Sequence, residues 1–476
     1  MKGILGPDGY PVQFTNFYGD THQRRMDVPG LPGGQGIFFR THTPNVGVKL
    51  SLENGKLVED PARNRVFDRI RLLPIPERLH ITRPQAVLED VMGYEMIVLD
   101  NMHAFGEAFG GVTAPEGFAT PWLEELRPDC PEELLRDFSA YLYSGGRRRR
   151  LEAYFQCACM LSRLHAAGLV YCDVSANNLF LTSDPEGPCS VWLIDADNLD
   201  WQSETAGRPG AGTAGVLAPE IIRGEMGNTF YSDSYSFAVL LFTHLTGTHP
   251  YAGQTYEEQD FADEALLDSG ELPWIWDRED GSNGADSRFG RVDGEHALLS
   301  ARLLDAFDAA FCRTGRENPV TRPSMAEWAW LLGAELDAAV RCPHCGMDYD
   351  GTEYGACPWC DHRTDTVHLC AFLSPEGGAP FWQCVRELSA GQEARVSARL
   401  LQGPRTEEPD ETAFLLRRTE SGLELEELNS LWSFSLICPE RQLYGRTGGL
   451  PERFRLRCER RKGDTVWMEV RLCEAD

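Results

Sequence analysis

Two polar loops on either side of a short apolar strand constrain the fold of this chain more than any other feature. Asp173 and Asn178 lie five residues apart in one loop, and a strand-like segment, residues 191–194, leads into Asp195. This spacing can place three oxygen ligands around a metal–nucleotide complex. Phosphoryl transfer needs such ligands, because its catalysis depends on positioning and on charge neutralisation around magnesium-bound phosphates.

A glycine turn and a lysine-bearing strand precede these loops. The turn contains Gly33, Gly34 and Gly36, and the strand-like segment 46–48 leads into Lys49. Glycines lack side chains, so the backbone N–H groups of such a turn can approach phosphates closely. An ordinary exposed strand lysine is the alternative for Lys49, and the neighbouring motifs count against it.

Three further motifs follow in the chain. Segment 212–220 ends in Ala-Pro-Glu, Asp233 begins an apolar helical pattern, and Arg322 stands late in the helical region. With the upstream motifs, they resemble the eukaryotic-like (Hanks-type) serine/threonine protein kinases of bacteria. The resemblance implies a structural ion pair between Glu220 and Arg322, and a brace from Asp233 to the loop of Asp173.

The resemblance also implies a catalytic and metal-binding set. Lys49 is expected to orient the phosphates of ATP, and Asp173 is expected to align the substrate hydroxyl and accept its proton. Asn178 and Asp195 are expected to bind Mg²⁺. Asp68, in the helical segment 61–73, is the expected carboxylate partner of Lys49, with a solvated surface aspartate as the open alternative.

A nucleotide-binding set follows from the same resemblance. Leu99 is expected to be the gatekeeper of the nucleotide pocket, after a buried strand over residues 94–99. The backbone of Asp100 and Met102 is expected to hold adenine. The full expected set is Gly33, Gly34, Gly36, Lys49, Leu99, Asp100 and Met102.

Some residues depart from the kinase pattern. Leu31 stands where the first glycine of the loop would be, and Tyr171 and Cys172 replace the usual His-Arg. Ser175 stands where a lysine usually contacts the transferred phosphate, and Asp197 is a second possible metal ligand. Two alternatives therefore stay open: a nucleotide-binding pseudokinase scaffold, and a kinase-fold enzyme that phosphorylates a small molecule, which the Ala-Pro-Glu segment disfavours.

Composition restricts the partners and the compartment. The 476 residues carry a net charge of −28, which disfavours nucleic acid and anionic membranes because phosphate groups repel an acidic surface. No stretch approaches the roughly 18 to 20 apolar residues of a membrane span. The N-terminus lacks the apolar run of a signal peptide, and 15 scattered cysteines suit reduced thiols. We therefore expect a cytoplasmic protein.

Charge is unevenly distributed. Residues 252–300 contain 13 acidic residues against 3 arginines, which predicts an acidic, loop-rich insertion in the second lobe. Residues 147–150 are four consecutive arginines that precede the helix leading to Asp173. A solvated helix start is the expected role of these arginines, and binding of a phosphorylated partner is the alternative.

Two Cys-x-x-Cys pairs follow the kinase-like region. Eleven residues separate the pairs, a spacing that lets four thiolates converge tetrahedrally on one Zn²⁺. A thioredoxin-like redox pair is the alternative, but the surrounding sequence lacks a βαβ pattern. The expected zinc ligands are Cys342, Cys345, Cys357 and Cys360.

The last 110 residues or so predict a small β-domain. Apolar residues alternate over 454–458 and 466–472 on either side of a turn at residues 462–464, which is typical of a hairpin. Leu423 and Leu425 alternate in the same way. Several short strands indicate a sandwich or barrel, which we expect to be a partner-binding or autoregulatory module.

The expected fold class is α+β, with a bilobal protein-kinase-like fold followed by a zinc ribbon and a small all-β domain. The expected boundaries are 1–100 (N-lobe), 101–340 (C-lobe), 341–363 (ribbon) and 364–476 (β-domain). This domain order resembles kinases that occur with a von Willebrand-A protein and a PP2C-type phosphatase in tellurium-resistance-type loci. The resemblance implies a protein substrate, for which the von Willebrand-A protein is the candidate, with ATP, Mg²⁺ and Zn²⁺ as cofactors.

Overall fold

The structure is a computed structural model that describes residues 4–33, 36–128, 130–184, 187–257, 264–286, 298–405, 411–460 and 463–475. Gly34 of the predicted glycine turn, Lys462 of the predicted hairpin turn and parts of the acidic segment 252–300 lie outside the described residues. In the described ranges, no helix has the length and apolar character needed to cross a membrane.

An antiparallel sheet with one helix forms the N-terminal region. Its elements are β1 (Gln13–Thr15), β2 (Thr21–Gln23), β3 (Leu31–Gly33), β4 (Gly36–Arg40), β5 (Val46–Glu53), β6 (Lys56–Leu57), α1 (Ala62–Arg71), β7 (Ala86–Val87) and β8 (Gly93–Ile97). The strand order is β3-β4-β5-β8-β7, with β6 paired to β5, while β1 pairs with β2. Ile37, Phe39, Val48 and Leu50 are buried on one face of β4 and β5, so Lys49 falls on the other.

Helices dominate the middle of the chain. They are α2 (Pro121–Leu126), α3 (Glu132–Tyr143), α4 (Gly146–Ala166), α5 (Gln202–Thr205), α6 (Pro219–Ile222), α7 (Phe230–Thr246), α8 (Gln254–Glu257), α9 (Glu264–Ser269), α10 (Ala301–Phe311), α11 (Arg313–Glu317) and α12 (Met325–Ala338). A capping box between Thr229 and Ser232 begins the buried helix α7. The long helices α4 and α7 contribute most of their apolar side chains to one shared core.

Short strands between these helices carry the two polar loops. They are β9 (Met102–Ala104), β10 (Leu169–Val170), β11 (Leu179–Thr182), β12 (Val191–Leu193) and β13 (Asp200–Trp201). β11 pairs with both β9 and β12, and β10 pairs with β13. Because β11 and β12 form an antiparallel hairpin, Asn178 before β11 and Asp195 after β12 lie at the same end of the hairpin.

The run of four arginines is not a solvated helix start, contrary to our expectation. Arg147, Arg149 and Arg150 at the start of α4 are buried. Arg147 pairs with the buried Glu335, and Arg150 donates to the His244 carbonyl at 2.7 Å. These arginines are occupied by partners far away in sequence, which a local pattern of charge does not reveal.

The cysteine-rich segment packs into the core of the helical region. β14 (Ala339–Arg341) and β15 (Asp348–Asp350) form a short antiparallel pair around the first Cys-x-x-Cys pair. The Trp359 ring contacts Phe138 of α3, with ring centroids 5.9 Å apart. This segment therefore shares one buried cluster with the helices.

Two antiparallel sheets form the C-terminal region. Their elements are β16 (Thr366–Phe372), β17 (Trp382–Glu387), β18 (Glu393–Ser397), α13 (Arg399–Gln402), β19 (Thr412–Thr419), β20 (Gly422–Glu427), β21 (Trp432–Leu436), β22 (Arg441–Gln442), β23 (Arg446–Leu450), β24 (Arg453–Arg460) and β25 (Thr465–Cys473). The sheet orders are β17-β16-β25-β24-β21-β22 and β18-β19-β20-β23. The predicted hairpin is present as β24 and β25, and both sheets bury side chains in one core.

Candidate active site and cysteine cluster

Lys49 is held by two carboxylates from the loop after β12. Its ammonium group contacts Asp195, and it donates to Asp197 at 2.8 Å. The Tyr94 hydroxyl, on the strand beside Lys49, donates to the other oxygen of Asp197. Both oxygens of the buried Asp197 are thus engaged, which makes it the lysine partner in this structure and leaves Asp195 more accessible to a metal.

The surroundings of Asp195 and Lys49 change the pKa of both side chains. Burial and the neighbouring charge of Asp197 raise the pKa of Asp195 to about 6. Burial alone would lower the pKa of Lys49, but Asp197 and Asp195 outweigh it and raise the pKa. Lys49 therefore stays protonated at neutral pH.

Asp195 adopts a left-handed backbone conformation, with φ at +57°, which is uncommon for a residue other than glycine.

Asp68 does not contact Lys49, so the predicted lysine partner is wrong in this structure. Asp68 pairs with Arg71, three residues later on α1, at 2.8 Å, and 46% of its side chain is exposed. The inward face of α1 is formed by Phe67 and Ile70, with the Phe67 ring 4.7 Å from the Tyr94 ring. Asp68 follows Phe67 by one residue, about 100° around the helix, and so faces solvent.

Asp173 is oriented by two hydrogen bonds. The Thr213 hydroxyl donates to one carboxylate oxygen at 2.8 Å, and the Asn178 amide donates to the other at 2.9 Å. Burial raises the pKa of Asp173, although both hydrogen bonds favour the charged form. The carboxylate is thereby fixed in direction and made a better proton acceptor than an exposed aspartate.

The loop of Asp173 is anchored to helix α7. Asp233 accepts hydrogen bonds from the backbone N–H groups of Tyr171 at 2.8 Å and Cys172 at 2.9 Å, as the resemblance implied. Cys172 has φ at +73°, a strained conformation that these bonds help to hold. The Tyr171 hydroxyl reaches the Ile194 carbonyl, which connects this loop to the residue before Asp195.

The expected ion pair after the Ala-Pro-Glu segment is present. Arg322 donates to both carboxylate oxygens of Glu220, at 2.8 Å each, and both side chains are buried. The bidentate geometry fixes the short helix α6 against the loop before α12. It also holds one end of the segment that carries Thr213.

Leu99, the predicted gatekeeper, does not lie in the strand that was expected to contain it. β8 ends at Ile97, so Leu99 lies beyond the strand. On the face of β5 that carries Lys49, Met96 lies opposite Gly47. Of the expected adenine-contacting residues, Asp100 pairs with Arg40 and Met102 begins β9. The register therefore places Met96 on the face of the sheet that carries Lys49, whereas Leu99 lies beyond β8.

An aromatic ring covers part of the same face. Phe38 pairs with Lys49 in the β4–β5 register, so it shares the face of Gly47. A methyl group at Gly47 would lie 2.3 Å from the Phe38 ring and 3.0 Å from Val98. Phe38 thus occupies the space that an alanine at this position would take. Gly33 and Gly36 flank the turn between β3 and β4 that leads into this strand.

The four predicted zinc ligands lie together. All four sulfur atoms are within 4.8 Å of one another, and the Cys342–Cys360 and Cys345–Cys357 sulfur pairs are each 3.6 Å apart. A tetrahedral Zn²⁺ with Zn–S bonds of about 2.3 Å places its sulfurs about 3.8 Å apart. These separations are far longer than a disulfide bond, so the cluster is compatible with a zinc ribbon.

Four residues around Asp173 and Lys49 have positions or contacts that were not anticipated from the sequence. Thr213 was part of the motif that ends in Ala-Pro-Glu, but its bond to Asp173 was not predicted. Tyr94 and Met96 alternate along β8, and this period of two could have placed both on the face of Lys49. Asp197 was considered only as a metal ligand.

Comparisons with known proteins bear on the kinase resemblance. No family model matches the chain. Protein kinase C delta type of Homo sapiens is 29% identical over 143 residues, covering 29% of this chain and 20% of that protein. Ribosomal protein S6 kinase alpha-3 of Mus musculus is 29% identical over 103 residues, covering 22% and 14%. A probable serine/threonine-protein kinase of Zea mays, CCRP1, is 31% identical over 139 residues, covering 27% and 21%. The matched part spans about a fifth or less of these relatives, and over that part the chain is distantly homologous to serine/threonine protein kinases.

Proposed function

We propose that this chain is a serine/threonine protein kinase that transfers the γ-phosphate of Mg-ATP to a protein hydroxyl. The observation that carries the proposal is the orientation of Asp173 by Thr213 and Asn178. A carboxylate held at both oxygens, near a buried lysine–aspartate pair, suits a base that must receive one proton from a positioned hydroxyl.

Each residue has a role in the proposed reaction. Lys49 keeps Asp197 as its partner and gives up its contact with Asp195 to a nucleotide phosphate. Asn178 and Asp195 would hold Mg²⁺, which would neutralise phosphate charge. The substrate oxygen then forms a bond to the γ-phosphorus, the bond from that phosphorus to the ADP oxygen breaks, and the hydroxyl proton passes to Asp173.

Substitution of the two aspartates tests this assignment. Asp173→Asn and Asp195→Asn should each reduce radiolabel transfer from ATP by roughly 10³-fold or more, because both act in one transition state. Asp68→Asn is the matched control, since Asp68 pairs with Arg71 on the same helix and does not bond to Lys49 in the part of the chain that the structure describes, and it should leave transfer unchanged. Circular dichroism should show that all three variants are folded. Undiminished autophosphorylation by folded Asp195→Asn protein would remove Asp195 from the metal site.

The proposed biological setting is a cytoplasmic signalling triad. The order of kinase-like region, cysteine cluster and β-domain supports a protein substrate. We propose that this substrate is a von Willebrand-A protein and that a PP2C-type phosphatase removes the phosphate group. Purified kinase should label the von Willebrand-A protein, and the phosphatase should remove the label. Labelling of unrelated proteins at the same rate would count against this partner.

A structural zinc site is part of the same proposal. Cys342, Cys345, Cys357 and Cys360 would hold one Zn²⁺ as thiolates, all four positions being filled by protein, which suits a structural site. Elemental analysis of freshly purified, reduced protein should find close to one zinc per chain. Protein without bound metal would contradict the ribbon.

A pseudokinase scaffold is the second candidate, and Phe38 favours it. The ring lies against Gly47 on the face of β5 that bears Lys49, where it narrows the space beside the strand. Ser175, in place of the usual lysine, is buried and supplies no charge. Thermal shift with ATP, with and without magnesium, separates the candidates. Phe38→Val should strengthen nucleotide binding whether the chain is a kinase or a pseudokinase, whereas only a kinase should also transfer label.

A further inference from the structure

A cavity lies away from Lys49, between the helical region and the C-terminal sheets. Its volume is about 1110 Å³, and no residue of the proposed active site lines it. Helix α4, the β11–β12 turn, the end of α12, β17 and α13 contribute its walls. Among the described residues, its lining contains eight arginines and only two glutamates. This excess of positive charge occurs in a chain whose net charge is −28.

Two of the lining arginines bond to uncharged groups. Arg149 donates to the carbonyl oxygens of Gly187, Thr182 and Asp184 at 2.9 to 3.0 Å. Arg163 donates to the Glu77 carbonyl. A carbonyl oxygen satisfies an N–H group without neutralising the guanidinium, so both arginines keep their full positive charge toward the cavity.

Two more arginines share a single carboxylate. Arg386 and Arg399 both donate to the buried Asp337, at 2.6 Å and 3.0 Å. Both guanidinium groups therefore share the Asp337 carboxylate. By contrast, Arg148 contacts both Asp348 and Glu387, so its charge is compensated.

Two exposed arginines complete the rim. Arg78 and Arg341 have no side-chain hydrogen bond or ion pair with the residues that the structure describes, and both are exposed.

Glu152 is one of the two lining carboxylates, and burial raises its pKa despite Arg148 and Arg149. The wall that carries Glu152 also offers apolar surface from Phe155, so the cavity is not lined by charge alone.

We propose that this cavity binds a small molecule that carries two or more phosphate groups. Guanidinium groups match phosphate oxygens in geometry and charge, and several of them converging on one cavity favour a polyanion over a single charge. The volume fits a small-molecule site. The inference does not depend on the proposed kinase activity, because no active-site residue lines the cavity.

Calorimetric titration with inorganic tripolyphosphate tests the inference. The Lys49→Met variant of the full chain, without divalent cations, removes the lysine that a polyphosphate could meet in the active site. Binding is expected to persist in this variant and to weaken as salt is raised. Adding Arg78→Glu and Arg341→Glu should weaken it at least about tenfold, since both guanidiniums are otherwise unengaged.

A matched control separates the cavity from overall charge. Arg313→Glu with Arg453→Glu changes the net charge equally at two exposed positions outside the cavity lining, and it should leave affinity unchanged. Equal affinity in the two double variants, both folded by circular dichroism, would overturn the proposal. Tighter binding of a phosphoserine peptide than of tripolyphosphate would also overturn it, in favour of a phosphorylated protein partner.

A further variant tests whether the acidic residues that follow the cavity lining in sequence affect binding. Glu407, Glu408 and Asp410 follow Arg405 of the cavity lining and lie outside the described residues. A variant with Gln, Gln and Asn at these positions is titrated alongside the parent. Equal or tighter binding in this variant supports the site, and absence of binding in both proteins overturns it.

Discussion

Replacing Asp337 with asparagine should strongly destabilise the contact between α12 and the C-terminal sheets. Asp337 is fully buried at the end of α12, and it accepts hydrogen bonds from Trp382, Arg386 and Arg399 at 2.6 to 3.2 Å. Asparagine keeps the volume but removes the negative charge that these two guanidinium groups share. Removing one partner of a buried ion pair typically costs 3 to 5 kcal/mol, so we expect a loss of about 3 kcal/mol in the free energy of unfolding.

The pH dependence of this effect has a defined sign. Burial alone would raise the pKa of Asp337, but Arg399 and Arg386 outweigh it and hold the pKa below its ordinary value of 3.8. A lowered folded-state pKa gives stability that is present above the unfolded pKa and is lost as pH falls through the folded value. The difference between parent and variant should therefore be complete at pH 7 and should shrink below about pH 4.

Urea denaturation followed by tryptophan fluorescence measures this loss. Trp382 bonds to Asp337, and its ring lies 5.0 Å from that of Trp330, so these two of the 11 tryptophans contribute emission from this contact. Asp305→Asn is the matched control, because Asp305 forms an exposed pair with Arg278 and should matter little. If Asp337→Asn and Asp305→Asn unfold at the same urea concentration, the shared carboxylate does not stabilise this contact.

Two further predictions concern the helical region. Arg322→Met should lower the unfolding free energy by about 3 to 5 kcal/mol, because it leaves Glu220 buried and unpaired; adding Glu220→Gln should recover part of the loss in the same denaturation assay. A double variant no more stable than Arg322→Met alone would argue against an ion-pair effect. Cys342→Ser should reduce bound zinc and speed limited proteolysis after residue 340 while ATP binding persists. Loss of ATP binding by folded Cys342→Ser protein would instead indicate a regulatory contact.

Spacing and periodicity predicted the features that depend on neighbours in sequence. The alternation of Phe454, Leu456 and Cys458 predicted one strand of a hairpin, and the hairpin is present, with Leu456 paired to Met468. The cysteine spacing likewise placed four sulfurs in one cluster. In both cases the geometry follows from short-range backbone periods.

Features that depend on distant packing were missed. Arg147 is buried because Glu335 lies opposite it, 188 residues away in sequence, and a run of arginines contains no sign of such a partner. Asp68 was misassigned because its spacing from Lys49 fits, whereas the phase of α1 is set by the packing of Phe67 on Tyr94. The strand predicted to reach Leu99 ends at Ile97 in the structure. Strand ends are the least certain part of a sequence-based assignment.

The shared core of the helices and the cysteine cluster determines where the chain can be divided. Trp359 packs on Trp122 and Phe138, and Arg148 of α4 bonds to Asp348 within β15. A polypeptide ending at residue 340 would lose these partners and present aromatic rings and an unpaired guanidinium to water. Recombinant fragments should therefore extend at least to residue 363, because the cysteine-rich segment and the helices share one buried cluster.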